Sequence, residues 1–201
     1  MSVVVAIKKD GVIYMGADSQ VTKGGTRSTL SNPNNYKIWR VEDTDNCLMG
    51  GVGSLRASNI IMVADSLIPE MVDLKDGVDF RFVVRRFVPH LMAELDDYHA
   101  LVKDKDDLPD MDASFLLAYH DRLYLIGRYG SVIEVDDFCA IGSGSSEALG
   151  SLLSSVEEED PMERIKKAIK ASAAHDLYVD YPIVISNTEN TEFKVFYEKD
   201  L

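Results

Sequence analysis

Two apolar runs near the start of the chain restrict the fold more than anything else in it. Val3-Val4-Val5-Ala6-Ile7 is apolar at every position, Val12-Ile13-Tyr14-Met15-Gly16-Ala17 is nearly so, and Lys9-Asp10-Gly11 stands between them. Two strand-length runs joined through an Asp-Gly pair predict an antiparallel hairpin. A strand with one wet face alternates apolar and polar residues. These strands do not alternate, so both of their faces must be covered. A hairpin covered above and below demands a layered α/β arrangement.

The rest of the chain supplies the layers. Residues 19–35 are polar and rich in Gly, Ser, Thr and Asn, which predicts a long loop of the kind that often carries function. Tyr36–Val41 and Cys47–Val52 read as strands, and Ser54 can cap a helix through about Ile68. From Asp79 to Val102, apolar residues at Phe80, Val83, Phe87, Leu91, Leu95, Tyr98 and Val102 have helical spacing, and Pro89 should kink or divide that helix. Ala113–His120, Arg122–Arg128 and Ser131–Val135 predict a meander. Phe138–Ile141 leads into Gly142-Ser143-Gly144-Ser145, which opens a further helix. Asp160-Pro161-Met162-Glu163 is a strong helix start, with Asp as cap and Pro at the first helical position, and that helix runs to about His175. Pro182–Asn187 and Glu192–Tyr197 close the chain as strands. Helices in pairs between groups of antiparallel strands are consistent with an α+β fold, a four-layer α-β-β-α sandwich. The chain of 201 residues has no internal repeat and no linker-like stretch, which predicts one domain over residues 1–201.

Charge and composition remove several functions. A formal net charge of −13 argues against nucleic acid as a partner. No apolar stretch approaches the length of a membrane span, and five apolar residues followed by Lys8-Lys9-Asp10-Gly11 do not make a signal peptide, so a cytoplasmic protein is expected. Cys47 and Cys139 lie far apart in apolar surroundings and read as buried thiols rather than as ligands or a disulfide. The four histidines form no metal-binding motif and there is no phosphate-binding GxxxxGK[ST], so neither a metal nor another cofactor is expected. The acidic stretches Lys103–Asp112, with five aspartates, and Glu157–Asp160 read as solvated loops.

The second residue brings chemistry. Removal of Met1 would leave Ser2 with a hydroxyl and a free α-amine on one residue. A hydroxyl needs a nearby base to act as a nucleophile near pH 7, and an α-amine with a pKa of roughly 7.7–8.0 can take that proton. A neighbouring cation would lower the amine pKa further, a carboxylate would anchor the cation, and a backbone N–H would stabilise the oxyanion. Asp18 ends the second strand of the hairpin, beside the start of the first. Lys37 opens the strand after the long loop. Gly53 sits where Gly50-Gly51-Val52-Gly53-Ser54 turns from strand to helix.

Five segments in series then resemble the proteasome β-subunit family: Ser2-Val3-Val4-Val5, Gly16-Ala17-Asp18-Ser19-Gln20-Val21-Thr22, Asn35-Tyr36-Lys37-Ile38, Gly51-Val52-Gly53-Ser54 and Ile141-Gly142-Ser143-Gly144. The similarity is greatest to its bacterial branches, the HslV peptidase and related proteasome homologues, which are N-terminal-nucleophile hydrolases. It implies Ser2 as nucleophile and base, Asp18 and Lys37 as the acid and lysine beside it, and Gly53 as the oxyanion donor. Ser143 would support the amine, and Asp176 would order that serine. It also implies a peptide or unfolded-protein substrate, a ring-like homo-oligomer and a possible unfoldase ATPase partner. The chain departs from the family in carrying serine where threonine is usual. It also has Val179 where many members have a second serine. Gly51 is expected to leave room in the substrate pocket. Two other readings stay open at this level: an amidase for small amides, and a catalytically silent member that keeps Met1.

Overall fold

The computed structural model describes residues 2–42, 44–65, 67–68, 77–103, 108–190 and 192–200. Strands β1 (Val3–Lys9) and β2 (Val12–Ala17) form the expected hairpin, with Lys9 opposite Val12. Asp10 and Gly11 have φ of 52° and 81°, the left-handed pair of a turn whose twist matches that of the flanking strands. Next come β3 (Gln20–Lys23), β4 (Thr26–Thr29), β5 (Ile38–Arg40), β6 (Cys47–Gly53) and helix α1 (Leu55–Met62). A helical run follows as α2 (Phe80–Phe82), a π turn over Val83–Phe87 and α3 (Val88–Asp97). Then come β7 (Ala113–Tyr119), β8 (Arg122–Ile126), β9 (Val132–Val135), β10 (Phe138–Gly142), α4 (Ser145–Ser154), α5 (Pro161–His175), β11 (Ile183–Asn187) and β12 (Lys194–Phe196).

Two antiparallel sheets carry the fold, in strand orders β10-β1-β2-β11-β12 and β5-β6-β7-β8-β9. Three apolar layers bind them into a sandwich. Val4, Ala6, Ile13 and Met15 meet Ile38, Leu48 and Leu116 between the sheets. Val3, Val5 and Ile7 face the other way, onto Ala148, Leu152, Ile165 and Ile169 of α4 and α5. Outside the second sheet, Trp39, Met49, Phe115 and Leu117 pack on Ile61, Phe87, Leu91 and Leu95 of α1 and its neighbours. The layers therefore run α-β-β-α, as expected. The unbroken apolar run of β1 follows from this: Val3 to Ile7 are all fully buried because one face meets helices and the other a sheet.

Several expectations change. The stretch 19–35 is not all loop: β3 and β4 pair across Gly24-Gly25, with Lys23 opposite Thr26. Every residue of β4 is exposed, so no apolar alternation announced it. Helix α1 stops at Met62 rather than near Ile68, although Leu67 and Ile68 are buried. The helix expected to reach Val102 ends at Asp97. His99 has φ of 53°, Tyr98 is exposed, and Val102 instead bridges to Asp110. Pro89 divides that helix as anticipated, and the π turn ahead of it shows how. Val88 N–H reaches back to Val83 O, and the next residue has no N–H to lose.

The acidic stretches are also less solvated than expected. Residues 104–107 lie outside the described residues, but Asp110 and Asp112 are both held by Arg128, and Glu158 is held by Lys167. Cys47 and Cys139 are buried free thiols. Burial pushes the Cys139 thiol up to about 12 and moves Cys47 in the same direction.

Candidate active site

The site is built at the start of β1, where the chain leaves the core. Asp18 follows the last residue of β2 and turns its carboxylate back onto β1. Its Oδ1 accepts from Val3 N–H at 2.9 Å and from Lys37 Nζ at 2.7 Å, and its Oδ2 accepts from Gln20 N–H at 2.9 Å. Lys37 also donates to Gln20 O at 2.6 Å, and its own carbonyl accepts from Gly51 N–H at 2.9 Å. Burial pushes the Lys37 ammonium below its ordinary range, against the pull of the Asp18 and Asp176 charges. Burial pushes the Asp18 carboxyl up, opposed by Lys37 and by the Val3 and Gln20 N–H groups. Each charge thus opposes the shift that burial imposes on the other.

Ser2 is buried at the end of this pair. Its N–H donates to Ser143 Oγ at 3.1 Å, and its carbonyl accepts from Ser143 Oγ at 3.5 Å and from Gly144 N–H at 3.4 Å. The turn that makes these contacts depends on Gly142. It has φ of 104°, and a Cβ built there would lie 2.1 Å from Ser2 O. Gly53 closes the opposite side with φ of 101°, and a Cβ there would lie 2.4 Å from Asp112 O. Ser54, the next residue, caps α1 by accepting from Ala57 N–H.

Asp176 behaves differently from expectation. It ends α5, its Oδ1 accepts from Tyr178 N–H at 2.8 Å, and its Oδ2 is buried without a hydrogen-bond partner. No hydrogen bond joins it to Ser143, and its negative charge opposes the effect of burial on Lys37. Val179 is buried against Gly144, an apolar contact where a second serine would have been polar.

Two further polar residues serve the site and escaped the sequence. Gln20 Nε2 donates to Leu177 O at 2.9 Å, which ties the turn carrying Asp176 to the Asp18–Lys37 pair. Ser172 is fully buried in α5 and donates to Gly144 O at 2.7 Å. The signal for Ser172 was present: it occupies a core position of a helix whose neighbours on that face, Ile165, Ala168 and Ile169, are apolar.

Ser2, Lys37, Val52 and Gly53 line one cleft of about 300 Å³, between β3 on one side and Leu55, Asn59 and Met62 of α1 on the other. Gly51 also lines it, but not as expected. A Cβ there would lie 2.7 Å from Ser58 Oγ and 3.1 Å from both Trp39 and Phe115, so the glycine allows close packing rather than opening the pocket. Among the described residues, no group of three His, Cys, Asp or Glu could hold a metal ion. Among the same residues, no helix is long and apolar enough to cross a membrane.

Two antiparallel sheets lie between helical layers, with Lys37 and Asp18 buried behind the residue that precedes β1. A family model described as "Proteasome subunit" matches residues 110–186. The ATP-dependent protease subunit HslV of Borreliella burgdorferi is 27% identical over 190 residues, covering 93% of this chain and 96% of that one. The same-named subunit of Lacticaseibacillus casei is 25% identical over 194 residues, with 93% and 99% covered. Among solved structures, BPH of Thiobacillus denitrificans in complex with epoxomicin superposes with a TM-score of 0.71 at 23% identity, covering 92% of this chain and 97% of that one. Anbu of Yersinia bercovieri superposes with a TM-score of 0.72 at 15% identity, covering 98% and 88%. Over nearly its whole length the chain is similar to HslV protease subunits, and it shares the fold of the proteasome-like structures.

Proposed function

We propose that this protein is a peptide-bond hydrolase whose nucleophile is Ser2, exposed by removal of Met1. The observation that carries the reading is the pairing of Ser2 N with Ser143 Oγ at 3.1 Å, with Ser2 lining the same cleft as the buried Lys37. Met1 lies outside the described residues, so the nitrogen described is still that of a peptide bond. Once freed, the α-amine takes the hydroxyl proton as Ser2 Oγ attacks the scissile carbonyl. Lys37, anchored by Asp18, adds positive potential that keeps the amine pKa low. Gly53 N–H receives the oxyanion, a contact of a kind worth about 2.7–4 kcal/mol. The amine passes its proton to the leaving nitrogen, and water clears the acyl-enzyme. Serine lacks the methyl that restricts a threonine rotamer, which makes the nucleophile less tightly held but leaves its chemistry intact.

The substrate is an extended peptide laid along the cleft between β3 and Gly51–Gly53. The chain acts as one domain in a ring-like homo-oligomer in the cytoplasm. The name of the HslV relatives, ATP-dependent protease subunit, supports an unfoldase ATPase as partner.

The test is intact mass followed by exposure to a peptide epoxyketone, which needs a hydroxyl and a free α-amine on one residue. Loss of one methionine together with a covalent adduct, absent in Ser2→Ala, supports the proposal. A retained methionine with no adduct overturns it in favour of a silent member. An adduct without cleavage of any peptide points to a small-amide hydrolase.

A further inference from the structure

A second cleft, of about 440 Å³, meets the first at Val52 and Gly53 and is lined by Gly142, Ser143, Asp112 and Arg128. We propose that it receives the part of a peptide substrate that follows the scissile bond, and that Asp112 selects there for a basic side chain. The inference rests on the reading of Ser2 as nucleophile.

Direction comes from proton balance. When the tetrahedral intermediate collapses, the C–N bond breaks and the leaving nitrogen must receive the proton that the Ser2 amine took from the hydroxyl. That nitrogen must therefore lie within hydrogen-bond reach of the amine. The Ser2 nitrogen faces Ser143, and Ser143 lines the second cleft. The acyl portion then occupies the first cleft, beside Lys37, and the leaving portion runs past Gly53 into the second.

The charge of the second cleft gives the preference. Arg128 is held by Asp110 through Nε at 3.0 Å and Nη2 at 2.5 Å, and Nη2 also reaches Asp112 at 3.1 Å. Two carboxylates face one guanidinium, so the cluster carries a net negative charge. Asp110 is the inner anchor, with its side chain 14% exposed, whereas that of Asp112 is 54% exposed and open to a cation from the substrate. An arriving lysine or arginine can share Asp112 with Arg128, and an arriving glutamate meets repulsion.

Two internally quenched peptides, identical except for lysine or glutamate directly after the scissile bond, test this in the processed protein. The lysine peptide should be cleaved with kcat/KM roughly two- to fivefold higher, the size of an exposed ion pair, and the ratio should shrink in high salt. Asp112→Asn should bring the ratio to about one. Asparagine tolerates the positive φ of 48° at this position. Arg128→Gln removes the competing cation and should raise the ratio, so a misfolded first variant still leaves a reading. Equal cleavage of the two peptides, or a ratio unmoved by both substitutions, overturns the proposal. If the epoxyketone adduct forms while the ratio is one, only this inference fails. If no adduct forms and neither peptide is cut, the reading of Ser2 fails and takes the inference with it.

Discussion

Lys37 Nζ lies 2.7 Å from Asp18 Oδ1, with the two side chains 5% and 0% exposed. The same Asp18 oxygen accepts from Val3 N–H, so a single carboxylate fixes both the cation and the strand that begins one residue after Ser2.

Removing the cation should therefore damage stability as well as chemistry. Lys37→Met leaves Asp18 buried without its partner, a change that typically costs about 3–5 kcal/mol. Urea denaturation should show that loss, and the epoxyketone adduct should vanish. Asp18→Asn, which keeps the shape of the acceptor, should cost less. A Lys37→Met protein of wild-type stability would show that the pair is not the anchor described.

The pH dependence of adduct formation follows from the same pair. Below its pKa the Ser2 amine is protonated and cannot act as base, so the rate should rise through a value below the roughly 7.7–8.0 of an ordinary α-amine. Burial moves Lys37 below its ordinary 10.5. As the pH rises the lysine loses its charge early, Asp18 is left without the partner that anchors it beside Val3 N–H, and the rate should fall before 10.5 is reached. Rate constants measured from pH 5 to 11 should form a bell. A plateau that persists to pH 11 would exclude a role for the Lys37 charge.

Gly142→Ala should be far worse than its small size suggests. The added Cβ would lie 2.1 Å from the Ser2 carbonyl oxygen, at φ of 104°. Strain of this kind costs on the order of 1–3 kcal/mol, and relieving it must displace Ser2. Gly11→Ala provides the contrast, because φ there is also positive, at 81°, but nothing lies within 4 Å. Both variants should lower the melting temperature, and Gly142→Ala alone should lose the adduct.

Ser172→Ala should separate positioning from folding. It deletes the hydroxyl that holds Gly144 O at 2.7 Å, and the loss of a buried partner costs roughly 1–3 kcal/mol. Gly144 and Ser143 together clasp Ser2, so small misplacement there should slow adduct formation by on the order of ten- to a hundredfold. The decisive measurement is kcat against KM on a peptide: kcat should fall while KM holds. Equal loss in both, or no change in either, would limit Ser172 to packing.

Much of this architecture was legible from residues alone, for reasons that can be named. The β1–β2 hairpin announced itself because complete burial needs apolar residues at every position. The start of α5 did so because Asp160, Pro161 and Glu163 act within one turn. The β3–β4 hairpin did not, because exposed strands carry no burial pattern and only Gly24-Gly25 marked the turn. The early end of α3 was hidden because Tyr98 and Val102 keep helical spacing although both are exposed.

The candidate site divides along the same line. Residue chemistry by itself determined that Ser2 could be a nucleophile with its own base, and that Asp18, Lys37 and Gly53 could serve it. It also called for a layered fold, because both faces of the first hairpin have to be covered. Only the tertiary structure decided that Ser143, 141 positions away, meets the Ser2 nitrogen, that Asp176 bonds to Tyr178 N–H rather than to Ser143, and that Gly51 is filled around rather than open. Local patterns register what each residue demands of its immediate surroundings. Contacts between distant strands and helices are set by how whole layers pack, and no short stretch of chain carries that information.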